Sequence, residues 1–391
     1  MTSRPALLLA LSLAWAGHGV AAAQAPVDSA KPGQRPPAGS DEDELWYAME
    51  RAERELQQHP LLVRDEALNA YVRGVACKVA ADYCSDLRVY IVEQPWFNAS
   101  MAPNGMMVVW TGALLRFQDE AELALVLGHE FAHFRQRHSL QMWRKAKRTS
   151  AVLSSFGLLA YGGGAGAAGY LANFIGVAQM YQFSREAERE SDRLGFAAAT
   201  GQGYDADAGT RLWQRMKDEE DARRYGKPIP VFASHPKTAE RLADVQAAAQ
   251  ASGSGGDAGR EGYRQAVRPF LADWLEDELS RRMYDTSIRV ITDLRALSEP
   301  DLQATYTFFL GEAYRRRGKD GDAAQAAALY AQAASGENPP PAAFREQGMA
   351  LRAAGRRDEA AAALTRYLAL APEAEDAAFI RHYLTELESR P

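Results

Sequence analysis

Apolar residues first recur at helical spacing at Leu45, Met49, Ala52 and Leu56, directly after Ser40 and Asp43, which look like a capping box. A second helix is expected over 65–79. The pattern then changes to strand: Leu87–Val92 alternates, and Met106–Trp110 (MMVVW) follows the turn residues Pro103, Asn104 and Gly105. Helical periodicity returns over 119–147. Residues 149–184 carry no charged side chain and seven glycines. The triplet Gly162 to Gly164 leaves a first apolar piece short of the ~20 residues a membrane span needs, and Asn173, Gln179 and Gln182 interrupt the second. Two buried helices or a mobile lid are expected there, with membrane contact the lesser alternative. The chain from 263 onward is rich in Ala, Arg and Leu in amphipathic helical runs. The fold class expected is α+β, mostly helical, with a small sheet in an N-terminal domain and an all-helical C-terminal part.

The C-terminal part repeats itself. Gly311-Glu-Ala-Tyr-Arg-Arg-Arg-Gly318 matches Gly348-Met-Ala-Leu-Arg-Ala-Ala-Gly355 at an offset of 37. This resembles the tetratricopeptide repeat, a helix–turn–helix unit whose small residues let paired helices approach closely. Stacked units of that kind make a concave surface suited to a protein or peptide partner. The Gly- and Ser-rich stretch 250–262 reads as a linker between a domain at 41–249 and this repeat domain at 263–391.

The start of the chain has its own pattern. Arg4 precedes the apolar run Ala6 to Ala16, and small residues end at Ala21, Ala22 and Ala23. Residues 1–23 read as a secretory signal peptide cleaved before Gln24, and the Pro- and Gly-rich residues 24–40 as a disordered leader. In an oxidising compartment Cys77 and Cys84 could pair; two buried free thiols are the alternative. The composition, 47% apolar and 25% charged, excludes fibrous, collagen-like and wholly disordered chains. A net charge of −6 supplies no basic field to attract nucleic acid. Two cysteines exclude a disulfide scaffold and a four-cysteine zinc site.

The sharpest chemical feature is His129-Glu130-Phe131-Ala132-His133, inside the helical run ELALVLGHEFAHFRQRH. Histidines four apart lie about 40° apart round a helix, so both can bind one Zn2+, with Glu130 in reach as a general base. His138 falls about half a turn round a continuous helix from His129, and it misses the register that would make it a third ligand. It reads as a solvated helix residue. A better third ligand lies in Ser184-Arg-Glu-Ala-Glu188-Arg-Glu190-Ser-Asp192, where Glu188 and Asp192 share a helix face. One of these carboxylates can complete the site and the other can orient a ligand imidazole.

Four ordered segments together are specific: NASMAPNGMMVVWTGAL, ELALVLGHEFAHFRQRH, SREAERESDRLG and SHPKTAERL. In these the chain resembles the BepA/HtpX-like family of zinc metallopeptidases, which are gluzincins. The exported start and C-terminal repeats place the resemblance nearest its periplasmic branch, whose members assist outer-membrane assembly. The resemblance implies that His129, His133 and Glu188 ligate zinc, that Glu130 is the base, and that Asp192 supports a ligand histidine. It also implies that His235 is the loop histidine that can occupy and block the remaining zinc position. Pro236 independently favours a loop there, since it disfavours helix for the residue before it.

The function expected is a periplasmic zinc endopeptidase acting on unfolded or misassembled polypeptides, with chaperone activity and the outer-membrane assembly machinery as a partner of the repeats. The alternative is a non-proteolytic adaptor with a plugged zinc site. A substrate is expected to lie extended beside Met106–Trp110 as an added strand, so Trp110 would line the cleft. His59 and His382 read as exposed residues.

Overall fold

The computed structural model describes residues 28–148, 183–223, 238–253 and 255–389. The expected signal segment, most of the uncharged stretch and His235 lie outside these. The first helices match their sequence signals closely. Helix α1 (Asp41–Leu56) is capped by Ser40, whose hydroxyl accepts from the Asp43 N–H at 3.2 Å, and α2 (Glu66–Ala80) is capped by Asp65. Cys77, near the end of α2, is disulfide-bonded to Cys84.

Strands β1 (Arg88–Val92), β2 (Ala99–Met101) and β3 (Met106–Trp110) form one sheet in the order β1-β3-β2. Strand β3 is therefore central, parallel to β1 and antiparallel to β2, and buried at every position. The expectation of Met106–Trp110 as the strand open to substrate is wrong. A run of five apolar residues is what a strand covered on both faces and paired on both sides requires. Trp110 packs with Leu56, Val92 and Met106 away from the cleft. The outer side of β1 is partly closed by Val63, whose N–H donates to the Ile91 carbonyl at 2.9 Å, and by a bridge from Leu62 to Val92.

From β3 the chain enters α3 (Thr111–Arg116) and then α4 (Glu120–Arg135), which is buried almost throughout. A helix buried on all sides lies in the middle of a core, and α4 lies there with its acids and histidines paired inside. The helix expected over 119–147 is broken after α4: Arg137 takes the left-handed φ of 53°, and α5 (His138–Arg148) sets off anew. Neither glycine nor proline marks this break.

Beyond the uncharged stretch come α6 (Arg185–Gly201), α7 (Ala208–Ala222) and α8 (Thr238–Ser252), followed by α9 (Arg260–Val267), α10 (Leu271–Ser280) and α11 (Tyr284–Ala296). Two helical hairpins follow, α12 (Pro300–Arg317) with α13 (Asp322–Ala334) and α14 (Pro341–Ala353) with α15 (Arg357–Leu370), and α16 (Ala377–Ser389) closes the chain. The repeated glycines sit at equivalent crossings: a Cβ on Gly311 would lie 2.7 Å from the Tyr330 ring, and one on Gly348 2.7 Å from Leu364. Among the described residues no helix is long and apolar enough to cross a membrane.

Two stretches read as loose are held in place. In the expected leader, Ala30 is buried; its N–H donates to the Arg135 carbonyl and its own carbonyl accepts from the Tyr83 hydroxyl, both at 2.7 Å. In the expected linker, the Asp257 N–H donates to Gly203 at 2.8 Å, and the Ala258 carbonyl accepts from Ala121 at 3.0 Å. Gly259, at φ 62°, sits against the Glu120 side chain, where a Cβ would approach to 2.7 Å. Composition measures how freely a stretch moves in isolation; it is blind to backbone groups that find partners on a neighbouring surface. One apolar core accordingly runs from α2 and the sheet through α4 into α10–α13.

A buried charge cluster crosses the same seam. Arg116 of α3 binds Glu219 of α7 at 2.7 and 2.9 Å and Glu278 of α10 at 2.8 Å. Glu278 also takes hydrogen bonds from Arg281 and from Ser287 of α11.

Candidate metal centre

Helices α4 and α6 supply the site, and glycine sets their spacing. A Cβ on Gly195 would stand 2.5 Å from the His129 nitrogen, and one on Gly128 3.0 Å from the Gly195 carbonyl. Backbone therefore meets backbone at this crossing. Glu188 lies seven residues before Gly195, two helical turns along the same face, and the close approach carries its carboxylate to the histidines. The start of α6 is fixed by Ser184, which accepts from the Ala187 N–H at 3.2 Å.

His129 Nε2 and His133 Nε2 are 3.1 Å apart, and the two Glu188 oxygens lie 3.7 Å from one and 3.7 Å from the other. Ligand atoms of these three buried residues all fall within 4.8 Å of one another. Glu130 stands just outside the trio, with Oε1 4.0 Å from His129 Nε2. Asp192 lies 2.8 Å from His129 Nδ1 on the far side of that ring. A carboxylate there takes the Nδ1 hydrogen and leaves Nε2 with its lone pair facing the trio. Two imidazoles and a fully buried carboxylate facing one another fit a small divalent cation, and His₂Glu with room for a further group is a zinc donor set.

Asp192 is itself braced by Arg241 of α8, whose Nε donates to Oδ2 at 3.1 Å. Burial alone would raise the Asp192 carboxyl; Arg241 and His129 overrule it and hold it well below the usual carboxylate range. Arg241 also comes within 3.1 Å of His129 Nδ1, longer than the aspartate contact, as it grips the same carboxylate. Its guanidinium lies over the Trp213 ring, 4.0 Å from the centroid. With Phe97, Ala99, Leu125, Val126 and Val245, these residues wall a cleft that reaches His129 and Glu130.

His138 corrects the expectation of a solvated helix residue. It is buried, with Nδ1 3.0 Å from His133 Nδ1, because the turn at Arg137 restarts the helix and turns this ring back toward the site. Burial lowers its pKa, partly offset by Glu190. Phe183 stacks on His133 at 4.0 Å between centroids. His59 is also buried, its Nδ1 accepting from the Leu61 N–H at 3.2 Å, whereas His382 is exposed as expected.

Residues 62–249 match peptidase family M48. Over these residues the chain is similar to the M48 peptidases. Over 203 residues it is 30% identical to the beta-barrel assembly-enhancing protease of Yersinia pestis and 28% identical to that of Escherichia coli K12, covering 49% of this chain and 41% of each relative. It is 30% identical over 175 residues to the mitochondrial metalloendopeptidase OMA1 of Schizosaccharomyces pombe, covering 43% of this chain and 49% of that one. The chain thus spans well under half the length of the two beta-barrel proteases.

Within this region, sequence reasoning missed His138, Arg241 and the paired glycines. Arg241 sits in the SHPKTAERL segment, but an arginine on a helix is ordinarily solvated. The glycines carried a usable signal: glycine inside a helical pattern costs about 1 kcal/mol against alanine, so its presence asks for a packing reason.

Proposed function

We propose that this chain is a zinc-dependent endopeptidase that enters the periplasm after loss of residues 1–23 and acts there on unfolded or misassembled outer-membrane proteins. The observation that carries the reading is the convergence of His129, His133 and Glu188 with Glu130 placed just beside them in an open cleft. The names of the M48 relatives support the choice of substrate, and the paired cysteines suit an oxidising compartment.

In this reading His129, His133 and Glu188 hold the zinc, which, when bound, polarises the scissile carbonyl and makes water a better nucleophile. Glu130 takes a proton from the attacking water and delivers it to the leaving amine. Asp192, locked by Arg241, keeps His129 in the tautomer that offers Nε2. The substrate lies extended along β2, whose Ala99 borders the cleft, and backbone pairing there demands little of side-chain identity. The tetratricopeptide-like hairpins add a surface for a protein partner, and His235 serves as a removable plug on the zinc.

The test is Glu130→Gln. Zinc content and folding should be retained while digestion of unfolded casein falls to background, a loss of at least about a hundredfold. Retained proteolysis refutes the reading, and retained assembly function without proteolysis favours the adaptor alternative.

A further inference from the structure

Asp192 backs one histidine of the site; the other has a backing of its own, built from different residues. His133 Nδ1 faces His138 Nδ1 at 3.0 Å, and the opposite nitrogen of His138, Nε2, lies 3.4 Å from Glu190 Oε2. The Ser191 hydroxyl also approaches His138 Nδ1, at 3.4 Å. The other Glu190 oxygen accepts from the Gln136 side-chain amide at 2.8 Å, and Gln136 in turn accepts from the Ser29 hydroxyl at 2.8 Å.

Hydrogen-bond polarity can be followed along this line. The Glu190 carboxylate only accepts, so the hydrogen of a neutral His138 is on Nε2 and its Nδ1 carries a lone pair. His133 Nδ1 must then donate to it, which leaves His133 Nε2 as a lone pair directed at His129 Nε2 and Glu188. His138 thus gives His133 what Asp192 gives His129: a fixed tautomer and a fixed ring plane. Phe183, stacked on the His133 ring, removes the remaining freedom to tilt.

We propose that His138 is a positioning residue for the metal centre, which with Glu190 orients His133 and strengthens its hold on zinc. This rests on the zinc peptidase reading above. The two lines differ in kind. Asp192 sets a carboxylate, itself paired with Arg241, directly against its imidazole, whereas His138 interposes a ring and keeps the carboxylate of Glu190 one ring further out. Both rings are held in place.

The experiment compares His138→Leu with His138→Asn by zinc competition against a chelator, with thermal unfolding of the metal-free proteins as the measure of packing. Asparagine and leucine each remove the ring, but asparagine sets an oxygen near the position of Nδ1 and can still accept from His133. The leucine variant should bind zinc about 10- to 100-fold more weakly than wild type, and the asparagine variant within a few-fold of wild type. Both metal-free variants should unfold at similar temperatures. Glu190→Ala, a change at a half-exposed side chain, should weaken zinc binding several-fold, and it decides the matter if neither His138 variant folds. Leucine binding zinc as tightly as wild type, equal losses in leucine and asparagine, or no change in Glu190→Ala would overturn the proposal. A wild-type chain that binds no zinc overturns the peptidase reading as well, so the two failures are distinguishable.

Discussion

The crossing of α4 with α6 and the hairpins α12–α13 and α14–α15 use the same device to different effect. Each places glycine where two helices touch. At the metal centre the missing side chains let backbone rest on backbone: the atoms nearest a Cβ on Gly195 are His129 N, Gly128 C and His129 Cα. In the hairpins glycine faces side chains first, the Tyr330 ring at Gly311 and the branched end of Leu364 at Gly348, with the Ala360 carbonyl behind Leu364 at 3.3 Å. A side chain can change rotamer or slide; a helix backbone in a full core cannot. The first arrangement fixes a geometry, while the second only permits close packing. The seam between the two regions is neither kind of contact, since it combines continuous apolar core with the buried Arg116–Glu219–Glu278 cluster.

The largest effect is expected at that seam. Glu278→Gln leaves Arg116 and Arg281 short of a carboxylate at a fully buried position, and should cost about 3 kcal/mol in denaturant unfolding. Burial would raise the Glu278 carboxyl, but the two arginines prevail and hold it below its ordinary value of 4.5. A carboxyl depressed in the folded state gives stability that is complete above its unfolded value and is lost as pH falls through the folded one. Wild type should therefore lose stability in acid more steeply than Glu278→Gln, as read from unfolding midpoints between about pH 5 and 3. If the variant instead releases the C-terminal helices while residues 62–249 still bind zinc as wild type does, the two regions are separable bodies and the continuous core is incidental.

Next comes Gly195→Ala. Overpacking against rigid backbone should cost about 2 kcal/mol. The strain is relieved by parting α4 from α6, which draws Glu188 away from the histidines. Zinc affinity should thus fall at least about tenfold, the equivalent of 1.4 kcal/mol. Unchanged zinc binding in a folded variant would break the contrast at its centre. The smallest effect is expected for Gly348→Ala. Leu364 can shift aside, and the gain in helix propensity of about 1 kcal/mol offsets the crowding. Stability should stay within about 1 kcal/mol of wild type and zinc binding should not change. A loss as large as that at Gly195 would show that side-chain neighbours are no softer than backbone here.

What could be read from the chain, and what could not, follows the same physical division. Ser40, Asp65 and MMVVW announce their elements locally, through capping groups and apolar runs, and these elements stand where expected. The helical spacing of His129 and His133, and the carboxylate pair on a second helix, were likewise visible as patterns within one element. Which strand is central was not, because a strand buried on both faces looks alike whether its edge is paired or open. The place of His138 depends on one residue, Arg137, accepting a left-handed φ that no side-chain preference demands. Ala30 and Asp257 are ordered by partners remote in sequence, Arg135 and Gly203. Periodicity carries no information about such pairings.

The Gly128–Gly195 crossing also bears on which ion the chain accepts. Zinc stands about 2.0–2.1 Å from an imidazole nitrogen, whereas calcium prefers about 2.3–2.6 Å and six or more oxygens. Where main chain abuts main chain the two helices stand at their shortest separation, and a larger guest would have to part them against the surrounding core. In the zinc reading, selection is then a matter of spacing as well as of donor type: two absent methyl groups set the short separation that suits the smaller cation.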